Sequence, residues 1–251
     1  MKTPFFTHPF FKYLTIFMGL WAGLFPPEGH CQTLQVVTKS IDRTFAFAEV
    51  SKVYIQAERA DIEVVTWDKQ EVKITIELTS KHPDQAVAKN DLAYFKYLIE
   101  TAKNTLYARN YILLPKGAAR PQANLKARYK VVLPASGEVQ IENSFGKINI
   151  DGLGKETQLQ AAFCTVVLQN ISGKTTLDTR FGTLHAENMN GNVALKTDQS
   201  DCLLKNVRGR WRIRAEHGSI EFDTDKTLVE IDLKTTQTVV KYRAALTIKT
   251  P

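Results

Sequence analysis

The chain has 251 residues, 43% hydrophobic and 24% charged. That composition excludes wholesale disorder and suits one or two globular domains. The net charge of +7 bears on attraction to anions rather than on fold. The cysteines show no C-x-x-C spacing, so no metal-ligand pattern is present.

The first thirty residues stand apart. Between Lys12 and Pro26 runs YLTIFMGLWAGLF, a length that fits an export-signal core and is short for a membrane span. Gly29 and Cys31 are small residues at −3 and −1 of a cut before Gln32. Pro-Glu-Gly-His before Cys31 disfavours lipidation. Removing residues 1–31 takes away two basic residues and one acid, so +7 falls to +6. No later stretch is long and apolar enough to span a bilayer.

The segment from Phe45 to Leu78 reads as strands, with alternation at Val53/Ile55, Ile62/Val64 and Val72/Ile74/Ile76. Residues 83–95 read as a helix, with Pro83 tolerated in the first turn. Tyr97–Thr101 and Thr105–Tyr111 flank Ala102-Lys103-Asn104 as a hairpin, and 115–125 is a polar loop. Strand pattern resumes at Arg128–Leu133. The expected domains are a signal peptide at 1–31, irregular β coils at 32–82, a helix-hairpin-loop insertion at 83–126, and solenoid repeats with C-terminal strands at 127–251.

The C-terminal half repeats every eighteen residues, the sign of a stacked architecture. Its rows begin at Phe145, Phe163, Phe181, Gln199 and His217. With the first residue numbered zero, positions 3, 5, 8, 12 and 14 are inward. They hold, for example, Val166, Leu168, Ile171, Thr175 and Leu177, and in the last row Ile220, Phe222, Asp225, Val229 and Ile231. Spacings of two within 3–5 and 12–14 give two short strands per coil, and each coil pairs in parallel with the next. One coil cannot bury its apolar face alone, whereas several can. A three-sided hexapeptide helix needs apolar residues at positions 9 and 15. Those positions are almost wholly polar, so it is rejected. The fold class is therefore all-β, a parallel β-solenoid, right-handed by the crossover rule.

Position 7 stacks Asn170, Asn188 and Asn206, an amide ladder. Position 0 stacks Phe145, Phe163 and Phe181, an aromatic ladder. Cys164 and Cys202 lie two coils apart, beyond the reach of a bridge, so both are expected as free thiols.

Catalysis finds little support. His82, His185 and His217 have no nucleophile beside them in the frame. Glu221, Asp223, Asp225, Glu230 and Asp232 divide between two strands, and Asp223-Thr224-Asp225 lacks the further ligands of a calcium loop. No catalytic, cofactor-binding or metal residue is assigned, and no cofactor is expected. The basic run KNVRGRWRIR (205–214) places Arg212 beside Glu230 and Arg214 beside Asp232 in the eighteen-residue frame, a charge ladder rather than a free patch. Nucleic acid is therefore not an expected partner. The expected partner surface is the 83–126 block, with Tyr97, Tyr107, Tyr111, Lys116 and Arg120.

The segments ADIEVVTWDKQEVKITIEL and RYKVVLPASGEVQIENSFGKINI, with the recurring FG-T-L and N-x-x-G turns, resemble a bacterial family of exported β-strand-repeat proteins described as "putative adhesins", a domain of unknown function. The resemblance spans roughly residues 45–235. It implies a periplasmic, secreted or cell-surface protein that binds a macromolecule of the envelope or extracellular surface, without catalytic residues. A structural accessory of the envelope without a ligand site and, behind it, a polysaccharide-active β-helix enzyme are the alternatives.

Overall fold

The computed structural model describes residues 33–223 and 229–243. The expected signal segment 1–31, its cut before Gln32, and Thr224 and Asp225 of the last row lie outside the described residues. Strands β1 (Gln35–Ala46), β2 (Lys52–Glu58), β3 (Ala60–Trp67) and β4 (Glu71–His82) come first. Helix α1 (Gln85–Tyr94) leads into the hairpin of β5 (Phe95–Ala102) and β6 (Thr105–Ile112). Strands β7 (Asn124–Pro134), β8 (Glu138–Asp151), β9 (Glu156–Gln169), β10 (Ser172–Arg180) and β11 (Thr183–Glu187) follow. The last three are β12 (Asn190–Lys205), β13 (Arg208–Asp223) and β14 (Val229–Tyr242).

From β8 to β13 each residue pairs in parallel with the one eighteen further on. Val139 faces Thr157, Leu177 faces Leu195, Leu184 faces Cys202 and Val193 faces Trp211. Val166–Leu168 pair in parallel with Leu184–Ala186. The fold is a β-solenoid, and the inward positions build its core. Leu168, Leu204, Val207 and Trp211 are fully buried, and so are Thr157 and Thr175. One inward column escapes a count of apolar residues. Position 16 is also buried, but it holds Asn143, Ala161, Thr179, Thr197 and Ala215.

Each coil reverses twice. One corner turns on a non-glycine residue in the left-handed region, Phe145 (φ 65°), Phe163 (55°), Phe181 (54°), Gln199 (46°), His217 (58°) or Gln237 (49°), followed in two coils by a positive-φ glycine, Gly146 (153°) and Gly218 (99°). The other corner uses Asn170 (53°), Asn188 (54°) and Asn206 (46°). Asn tolerates this conformation because its short polar side chain bonds locally. The Asn188 amide donates to Asn170 Oδ1 at 3.2 Å, Asn206 donates to Asn188 Oδ1, and Asn170 donates to Asp151 Oδ1 at 2.7 Å. All three asparagines are exposed, so the cost of an orphaned buried amide does not apply to them. At Gly209 (φ +90°) a Cβ would stand 2.3 Å from the Gly191 carbonyl oxygen of the coil beneath.

The last coil departs from the frame. Gly209 pairs with Val229, Trp211 with Ile231, and Ser219 with Val239, an offset of twenty. Phe222 and Ile231 are nine residues apart where Leu204 and Trp211 are seven. An even shift keeps every side chain on its own face, and Ile231 stays buried. Its column, however, is that of Trp211 rather than Ile213, and the charge pairing changes accordingly.

The N-terminal end is built out of chain order. The β2–β3 coil, cornered at Arg59 (φ 53°), lies beneath β8: Val53 faces Val139 and Ile62 faces Ile148. On its other side Val53 faces Leu106 of β6 and Ile62 faces Tyr129 of β7, both in parallel. Thus β6 and β7 make a coil of their own, and the hairpin strand at 105–112 is part of the solenoid rather than an excursion from it. Strand β7 begins at Asn124, earlier than Arg128, because Asn124 pairs with Lys81 of β4. Antiparallel β4 and β1 on one face, and β5 on the other, close this end. The β5–β6 turn carries positive φ at Lys103 and Asn104, the pattern of a type I′ hairpin. Asp84 caps α1 by accepting the Ala86 amide at 2.7 Å.

Candidate binding surface along one corner

The corner of left-handed non-glycine residues concentrates the accessible recesses. In spatial order it presents the 113–123 loop, Arg59, Phe145, Phe163, Phe181, Gln199, His217 and Gln237. In the β6–β7 coil that loop takes the place of the left-handed corner residue used elsewhere. Its far end is pinned by the buried carboxylate of Asp91 on α1, which accepts the amides of Gln122 (2.7 Å) and Ala123 (2.8 Å). Between loop and solenoid lies a cavity of about 490 Å³, lined by Glu58, Arg59, Tyr111, Ile112, Arg120 and Leu125. Asn110 sets its floor by donating to the Glu58 carbonyl and accepting the Tyr129 hydroxyl, each at 2.9 Å. Burial pushes the Tyr129 phenol far above its usual range. A second recess of about 350 Å³ shares Arg59 and Leu125 and reaches Phe145. A third, about 310 Å³, runs beside the ladder over Ser144, Ala162 and Arg180, with Glu142, Gln160 and Asp178 along its rim.

The three phenylalanines stack with ring centroids 4.8 and 4.9 Å apart and planes within 6° and 8°. They are nevertheless 49%, 49% and 43% exposed. Their faces cover one another, so solvent meets ring edges. The result is a narrow hydrocarbon ribbon rather than a platform for stacking another ring. A bulky residue at positive φ is a backbone outlier, and its strain amounts to about 1–2 kcal/mol per residue. The corner therefore holds aromatic surface outward against a backbone preference.

The residues expected to form a partner surface do not come together. Tyr111 and Arg120 line the large cavity, and Lys116 is exposed on the loop. Tyr107 lies elsewhere, edge-on to Tyr54 at 5.7 Å. Burial, and then the Glu142 acceptor, raise the Tyr54 phenol to about 12. Tyr97 is partly buried against the core, with the Lys39 ammonium 5.2 Å from its ring centre. Arg59 was missed. It becomes visible when IQAERADIEV is aligned on IENSFGKINI, which puts Arg59 on Phe145.

The charged residues resolve differently from the eighteen-residue reading. Arg212 meets Asp232 (3.5 Å) rather than Glu230, and Glu230 meets Arg210 (3.0 Å). Arg214 faces Lys234 rather than Asp232. Glu221 is held by Arg243 at 2.6 Å. His185 sits between Val167 and Leu203 with Nε2 shielded and unpartnered. His217 Nδ1 is 3.5 Å from the Asp198 carboxylate. Cys164 and Cys202 are free and buried, and burial raises both thiols, Cys202 to about 11. Among the described residues no cluster of three His, Cys, Asp or Glu is placed to hold a metal, and no helix is long and apolar enough to cross a membrane.

No protein-family model and no curated protein matches the sequence. Among solved structures, the chain is similar to a "putative cell adhesion protein" from Clostridium sporogenes ATCC 15579. That chain is 10% identical, the match covers 82% of this chain and 99% of that one, and the TM-score is 0.39. It is also similar to a "putative adhesin" from Bacteroides fragilis NCTC 9343, 13% identical over 85% and 97% of the two chains with a TM-score of 0.32. A "putative lipid binding protein" from Parabacteroides distasonis ATCC 8503 is 12% identical over 84% and 96%, with a TM-score of 0.30. The first two names are of the adhesin type that the sequence motifs resemble.

Proposed function

We propose that this chain is an exported, non-catalytic, adhesin-like protein that binds a macromolecule of the cell envelope or cell surface. Its contact surface is the corner running from the 113–123 loop cavity through Arg59 to Phe181. The observation that carries this reading is the Phe145–Phe163–Phe181 ladder, roughly half exposed at backbone positions that disfavour phenylalanine. Strain retained at an outward-facing position points to a use outside the fold, and exposed apolar strips mark interaction sites. The thiols that burial holds protonated and the acids engaged by Arg210, Arg212 and Arg243 support a binding role over a chemical one.

The test is retention of an envelope component by immobilised mature protein. The Phe145/Phe163/Phe181→Asn triple variant is expected to lose it while keeping its β-sheet circular dichroism. Undiminished retention by the folded triple variant would reject the corner. Shortening of an envelope polysaccharide by the wild-type protein would reject the non-catalytic assignment.

A further inference from the structure

The two-residue offset of the last coil creates a feature that the eighteen-residue frame hides. Lys196 pairs with Arg214, and Arg214 pairs with Lys234, on three consecutive parallel strands. Their side chains leave the same outward face, about 4.8 Å apart along the axis. Like charges directly opposite one another on neighbouring strands are destabilising. All three residues are exposed, and among the described residues no carboxylate lies within 4.0 Å of any of them. The nearby acids are engaged or set aside. Asp178, next in the column, is held by Arg180 at 3.2 Å. Glu230 and Asp232 are paired with Arg210 and Arg212 on one flank. Asp198 lies beside His217 on the other flank, where Glu216 is exposed.

We infer that the Lys196–Arg214–Lys234 column is a binding strip for a linear anionic glycan, a polysaccharide bearing carboxylates, lying along the solenoid axis. The strip is one side chain wide. A flat anionic membrane laid on this face would also meet Glu216, Glu230 and Asp232, whereas a single chain on the column meets cations alone. The corner beside it holds Gln199, His217 and Gln237 at these coils; the His217 imidazole lies 3.5 Å from the Asp198 carboxylate, and the glutamines on either side of it carry no ring, so successive nucleic-acid bases find no run of stacking partners. Exposed Ala194, on the strand of Lys196, leaves the neighbouring position open. This site is separate from the phenylalanine corner and does not depend on the reading given for it.

The probe is an oligogalacturonate, titrated against the mature protein at low and at high salt, with a neutral oligosaccharide of equal length beside it. The wild-type protein is expected to bind the acidic chain, more weakly as salt rises. Arg214→Glu should weaken binding about tenfold or more, the size of one charge-assisted contact. The same substitution should raise the melting temperature, because an acid between two lysines replaces repulsion by attraction. Lys73→Glu, an equal change of charge on exposed Lys73 of β4, should leave binding intact. Should Arg214→Glu fail to fold, Arg214→Gln and Lys196→Gln serve with the same readouts. Equal loss in Lys73→Glu, equal binding of the neutral chain, or a lowered melting temperature in folded Arg214→Glu would overturn the assignment. So would column-dependent binding to phosphatidylglycerol vesicles in preference to the acidic glycan.

Discussion

Replacing Phe163 by Asn tests whether the phenylalanine ladder is held by stacking. Phe163 stands between two parallel neighbours at 4.8 and 4.9 Å, whereas Phe145 stacks on Phe163 alone. Both rings are 49% exposed, and both backbones lie at positive φ, 55° and 65°. Asn relieves the same strain at either site, about 1 kcal/mol, and forfeits the same half-buried ring, about 1 kcal/mol. These contributions cancel in the comparison. What remains is one additional stacked pair at Phe163, about 0.5–1.5 kcal/mol. Urea unfolding followed by circular dichroism, at unchanged m-value, should therefore place Phe163→Asn below Phe145→Asn by that amount. Equal midpoints for the two variants would show that the rings are spaced by the backbone alone.

Three further outcomes follow from the same geometry. Gly209→Ala should destabilise by about 2–4 kcal/mol, since it adds left-handed strain to a collision with the Gly191 carbonyl; a melting curve like that of the wild type would contradict the close approach. Asn188→Gly keeps the left-handed corner but removes the amide contacts to Asn170 and Asn206, and should cost about 1 kcal/mol, with Asn188→Leu costing about 1 kcal/mol more through strain; identical midpoints for the two would separate the corner from its φ. The Cys202 thiol, raised by burial from 9.0 to about 11, should lower stability as pH climbs through that window, because the unfolded chain ionises first and binds fewer protons than the folded one. Urea midpoints for wild type and Cys202→Ala that run parallel from pH 8.5 to 11 would refute this.

Much of this architecture was legible in the sequence because stacking imposes strict register. Leu168, Ala186 and Leu204 recur at one spacing and fall in one buried column. Where the column is polar the signal fails. Thr179 and Thr197 are as buried as their apolar neighbours, yet an apolar count passes over them. The β6–β7 coil was hidden for another reason. Its partners are β2 and β3, placed beside it out of chain order, and no fixed period reports a neighbour chosen that way. The last coil shows how a small slip misleads. Two extra residues preserve inward and outward faces, so the hydrophobic pattern gives no warning, but every cross-strand charge partner changes. The partner surface suffered similarly, since Tyr97, Tyr107 and Tyr111 are close in sequence, yet Tyr97 packs against the core while Tyr107 and Tyr111 share the outward face of β6 four residues apart along the strand.

The displaced position of the β2–β3 coil bears on how the chain reaches its native state. Val53 cannot acquire both neighbours until Leu106 and Val139 have been synthesised, and Ile62 waits for Tyr129 and Ile148. Distant pairings of this type are slow because the intervening loop must close before they gain anything. Beyond Asp151 each strand needs only a partner laid down eighteen residues before it, or twenty for β14, as repeat units do when they grow by neighbour addition. Pulse-labelled hydrogen exchange during refolding should thus protect the Val53 and Ile148 amides no later than those of Leu195 and Ile213; the reverse order would contradict a nucleus at this end. Assembly has one slow step, the closure of an early-made coil between two late-made ones, and extension toward the C-terminus is its downhill sequel.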